Sequence, residues 1–84
     1  MNDLSSLNTD DYQNRGIKYP KSGIPVCINA TTNNAVFSFK NTSERTGERW
    51  VKNFCRQRGI KYSKISSWQD GDYHDDWIDV EIII

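Results

Sequence analysis

Histidine is nearly missing from this sequence: His74 is the single one among 84 residues. Its neighbours are aspartates, which favour the protonated imidazole, so it suits a surface salt link better than a general base. Cysteine is scarce as well, with Cys27 and Cys55 only. No export signal accompanies them, so both are expected as reduced thiols, and the sequons at Asn29 and Asn41 as coincidences. No apolar run approaches the roughly 18 residues that cross a bilayer, and no basic stretch leads into an apolar one at the N-terminus. Neither a membrane span nor a secretory leader is expected, and the cytoplasm is the expected compartment. Hydrophobic residues are also few, at 36% of the chain. A chain of this length holds one domain and buries only about 60% of its unfolded surface, which argues against an enzyme with a deep pocket.

What the chain does hold is aromatic side chains: three Trp, four Tyr and three Phe, enough to fill a small core. The polar excess sits in residues 1–23, where neither helical nor strand periodicity persists, and this stretch reads as a flexible N-terminal arm before a domain at 24–84. Val26 to Ala30 and Ala35 to Phe39 read as a hairpin. Asn33-Asn34 as its two-residue loop places Ala30 opposite Phe37 and Ile28 opposite Phe39, with Val26 on the same, core-facing side. Cys27, Asn29, Thr31, Val36, Ser38 and Lys40 then share the other face.

A helix follows from Ser43 to Arg58, with Asn41 and Glu44 as a capping pair and Gly59 beyond its end. Trp50, Val51, Phe54 and Cys55 form its apolar arc. Gly47 costs the helix about 1 kcal/mol of propensity and either permits a close approach or frays the first turn. Ile60 to Ser66 reads as a strand, Ser67 to Asp76 as an acidic loop, and Trp77 to Ile84 as a stronger strand with Ile78, Val80, Ile82 and Ile84 facing the helix. The expected fold is a small α+β domain, β-β-α-β-β, with an antiparallel sheet of about four strands and one helix on one face.

The net charge of zero conceals a polar division. Lys40 to Lys64 contains eight basic residues against Glu44 and Glu48, whereas Asp70 to Glu81 contains six acidic residues and no Lys or Arg. Arg45, Arg49, Lys52 and Arg56 fall within about 60° of the helical wheel, opposite the apolar arc. Cations one turn apart suit successive phosphates of RNA or DNA, and Lys61 and Lys64 could extend the track. The plainer alternative is a solvated helix face. No groove-reading motif, aromatic ribonucleoprotein signature or zinc-finger spacing is present, so any such binding is led by backbone and shape.

The acidic segment offers a second reading. Trp68, Asp70, Asp72, Tyr73, Asp75 and Asp76 could imitate a nucleic acid and occupy a protein's basic groove, as an inhibitor or adaptor does, or could simply balance the basic helix. Asp70, Asp72 and Asp75 lack the later Gly and Glu of a calcium loop, and His74 with Asp75 or Asp76 is a weak basis for a metal-dependent hydrolase. Cys55 belongs to the apolar arc and reads as a core residue, not a nucleophile. The leading expectation is a non-enzymatic nucleic-acid-binding module without cofactor. The rival is a small protein that binds a protein target.

Overall fold

Alternation of apolar residues fixes the sheet. The computed structural model describes residues 4–8, 23–69 and 77–84. Within them Cys27–Ala30 (β1), Asn34–Lys40 (β2), Lys64–Gln69 (β3) and Trp77–Ile83 (β4) are strands, and Glu44–Arg58 is a helix (α1). All pairings are antiparallel and the strand order is β1-β2-β4-β3. The chain is thus a small α+β domain of β-β-α-β-β order, as the patterning indicated.

The register aligns Ile28, Phe37, Val80 and Ser67 in one row across the sheet, and Ala30, Ala35, Ile82 and Ile65 in the next. This face receives α1, which packs over β4 and β3. Phe37, Phe39, Val51, Val80 and Ile82 are wholly buried there, each worth about 1.5–3 kcal/mol of burial. Trp50 and Phe54 are half-buried and reach over β2. Trp50 lies 6.1 Å from Phe37 and 6.0 Å from Phe39 between ring centroids, and Phe54 meets Phe37 edge-on at 5.6 Å. Gly47 explains how close the helix comes. A Cβ there would stand 2.6 Å from Ile78 Cδ1 and 3.2 Å from Val80 Cγ2, so the residue serves close approach.

Three local expectations are corrected. The hairpin loop centres one residue earlier: Ile28 pairs with Phe37 and Ala30 with Ala35, and Thr31 N–H donates to Asn34 O at 2.8 Å. The turn is held by the Thr31 hydroxyl, which accepts from the backbone N–H groups of Asn33 and Asn34, and neither asparagine takes a positive φ. The helix cap is Ser43, whose Oγ accepts from Thr46 N at 3.2 Å. Asn41 instead adopts φ 55°, turning the chain out of β2, a conformation at odds with the extended backbone of an N-cap. β3 starts at Lys64, not Ile60, because the Ile60 N–H is engaged by Cys55 O at 2.9 Å in the helix C-cap beside left-handed Gly59. Ser67, Trp68 and Gln69, expected in the loop, complete this strand.

The second face of the sheet is not simply open. Cys27, Ser38, Asp79 and Trp68 form a row across it, and Cys27 and Asp79 are both buried. The two cysteines are free and occupy opposite faces. Within the stretch read as an arm, Leu4–Leu7 forms a single 3-10 turn against β1 and β2, and Leu4 joins the core. Asn8 Oδ1 accepts from Ala30 N at 3.2 Å, so this turn also covers part of the outer edge of β1.

Candidate nucleic-acid interface

The geometry that sinks Gly47, Val51 and Cys55 into the core turns the opposite side of α1 outward. Arg45, Arg49, Lys52 and Arg56 are all exposed on that side. Successive members are separated by about 4.5–6 Å of helical rise, giving one line of charge about 17 Å long. The helix's two acids do not neutralise it. The Ser67 hydroxyl on β3 lies within donating reach of Glu44 Oε1, at 3.0 Å, and of Glu48 Oε2. Both carboxylates are thereby directed at the sheet. Among the described residues, no carboxylate forms an ion pair with Arg45, Arg49, Lys52 or Arg56. Arg56 has a neutral partner: its Nη2 donates to Asn53 Oδ1 at 2.6 Å.

The two residues expected to extend the track are placed differently. Lys61 is exposed in the connection between α1 and β3. Lys64 begins β3 and pairs with Ile83, while its neighbour Ile65 faces the core with Ile82. Lys64 therefore projects on the far side of the sheet from α1 and is not part of the line. Strand alternation carries that signal once the start of β3 is known.

Of the acidic aromatic segment, only Trp68 is among the described residues. It lies on β3, on the face away from the helix, and is 39% exposed. Asp70, Asp72, Tyr73, His74, Asp75 and Asp76 lie outside the described residues. No group of three or more His, Cys, Asp or Glu side chains among the described residues could hold a metal ion. Cys55, 1% exposed, has its thiol pushed up by burial, which keeps it protonated and unreactive. Lys40 Nζ stands 5.8 Å from the Trp77 ring on the far face, away from the basic line.

One feature escaped the sequence reading. On the flank of α1 away from β3, Trp50, Asn53, Phe54 and Gln57 line a groove of about 260 Å³. Trp50 and Phe54 are stacked within it, with centroids 5.0 Å apart and planes inclined by 20°. Arg58 covers Phe54, its guanidinium carbon 4.4 Å from the ring centroid. The spacing i, i+3, i+4, i+7 stands in the sequence, but Asn53 and Gln57 are polar and carry no apolar signal of their own. No protein-family model, no curated protein and no solved structure matches the chain. Among the described residues, no helix is long and apolar enough to cross a membrane.

Proposed function

We propose that this protein binds the backbone of RNA or DNA through the outer side of α1, with Arg45, Arg49, Lys52 and Arg56 meeting phosphates. The observation that carries this reading is the line of four exposed cations without a described acidic partner, while Glu44 and Glu48 are drawn to Ser67. A helix face that only needed solvation would gain a few tenths of a kcal/mol from each i, i+4 acid–base pair. Glu48 is placed for such a pair with Lys52 and does not form it. Binding of this kind is non-enzymatic and tolerant of base sequence, since nothing on the line is shaped to read a base edge.

The test is titration of the full chain into labelled oligonucleotides of mixed sequence at several salt concentrations. Affinity should fall linearly on logarithmic axes as salt rises, by roughly 0.7–0.9 of a unit per phosphate contacted. Changing Arg45 and Arg49 to Glu should weaken binding to every sequence alike and lower the slope by about one unit per lost contact. A parent that binds no oligonucleotide at low salt, or a folded variant that binds as the parent does, defeats the proposal.

A further inference from the structure

We propose that the ligand is single-stranded and that the groove formed by Trp50, Asn53, Phe54 and Gln57 receives one of its unpaired bases. This rests on the reading of the basic line as a phosphate contact.

The two flanks of α1 differ in chemistry. One carries cations and nothing aromatic; the other carries two stacked rings with two carboxamides at their rim. A helix lying in the major groove of a duplex has a phosphate strand on either side, in a groove about 12 Å wide, and is served by cations on both flanks. Here the line of four stands on one flank, and the one cation of the other flank, Arg58, is laid over the Phe54 ring. A single strand has the matching asymmetry, with phosphates along one side and bases projecting from the other. The flanks also touch: Asn53 belongs to the groove and accepts from Arg56 of the basic line, so a strand lying on the line passes beside the groove's mouth.

The groove's size and lining suit a base. At about 260 Å³ it is below the range of pockets for drug-sized ligands and holds one flat ring system. Trp50 offers a hydrophobic wall for a π-face, and Arg58 over Phe54 already shows a planar group held against this cluster. The Asn53 and Gln57 carboxamides each carry a donor and an acceptor, which can meet any base edge without strong selection.

The decisive ligand pair is a single-stranded oligothymidylate and an abasic sugar-phosphate oligomer of equal length, with a mixed-sequence duplex as the third arm. The intact full chain is used throughout. The oligothymidylate should bind at least tenfold more tightly than the abasic oligomer at the same salt, with the same salt slope, and more tightly than the duplex. A matching oligouridylate should behave like the oligothymidylate, since the groove is indifferent to the 2′-hydroxyl. Gln57→Ala, an exposed change, should narrow the gap between oligothymidylate and abasic oligomer several-fold and leave the abasic affinity unaltered. If the two oligomers bind equally, or the duplex binds best, the groove does not take a base although the phosphate reading stands. If none of the three binds at low salt, both readings fall.

Discussion

On the inner side of α1, Val51 and Cys55 are almost wholly buried and Gly47 presses the backbone against β4, whereas Arg45, Arg49, Lys52 and Arg56 on the outer side are exposed. The inner side answers to packing, and its residues are constrained by volume to within a methyl group. The outer side answers to charge and leaves the fold nearly indifferent to its composition. Stability and binding should therefore separate cleanly between the two sides, and each substitution below either sharpens that separation or breaks it.

The largest effect belongs beneath the helix. Phe37 is wholly buried between Trp50, Phe54 and the sheet, and Phe37→Ala removes one of the largest side chains of the core. It should cost about 3–5 kcal/mol, comparable to the whole stability of a domain this small. Urea titration followed by circular dichroism checks it. A variant that retains the parent's cooperative midpoint would mean the aromatic cluster does not hold α1 to the sheet.

Gly47→Ala should give a smaller loss with two opposed parts. Alanine gains about 1 kcal/mol of helix propensity, but its Cβ meets Ile78 Cδ1, with Val80 and Phe39 close behind. Overpacking of this sort costs about 1–3 kcal/mol, so a net destabilisation of about 1 kcal/mol is expected from the same urea titration. A stabilised variant would show that the helix can lift from β4 freely, and that the inner side is less constrained than its burial indicates.

These inner positions were also the legible ones. The helix was expected at 43–58 and is found at Glu44–Arg58, because an apolar arc and a terminal glycine are local signals. The sheet faces were read correctly even though the hairpin register was not: the error was two residues, and a strand's side chains alternate with period two. What local pattern could not supply was any arrangement settled by competition between distant groups. Asn41 and Ser43 are both good caps, and the choice fell to the one that did not have to turn the chain out of β2. The burial of Leu4 and Cys27 depends on which segments come together in space. For the site, the basic line was legible from helical spacing alone. The displacement of Lys64 to the far face needed the start of β3, and the groove needed polar Asn53 and Gln57 to be read together with Trp50 and Phe54.

Cys55 adds a dependence on pH to the inner side. Burial raises its thiol above the ordinary cysteine range, so the folded state resists ionisation while the unfolded chain ionises near about 8.5. Its contribution is complete below that pH and is lost as pH rises through the raised folded value. The slope cannot exceed about 1.4 kcal/mol per pH unit for one proton. Stability of the parent measured between neutral and alkaline pH should therefore decline more steeply than that of Cys55→Ala, which starts lower and lacks this term. Parallel curves would place Cys55 in contact with solvent.

The smallest effects belong to the outer side, and they should differ between the middle of the helix and its C-terminal turn. Arg49 stands mid-helix with no partner among the described residues, so Arg49→Glu should change stability by less than about 0.5 kcal/mol. Arg56 lies in the last turn, where a cation complements the helix dipole, and donates to Asn53 Oδ1. Arg56→Glu places an anion at the negative end of the helix dipole and removes that bond, for an expected loss of about 0.5–1 kcal/mol. Raising the salt concentration should shrink the Arg56→Glu loss, because dipole interactions at an exposed terminus are screened. The pair is thus ordered, small then slightly less small, by position along one helix and not by charge. Equal losses at both positions, unaffected by salt, would show that the outer arginines stabilise the fold through their aliphatic stems, and the separation between the two sides of α1 would fail at the place where it matters for binding.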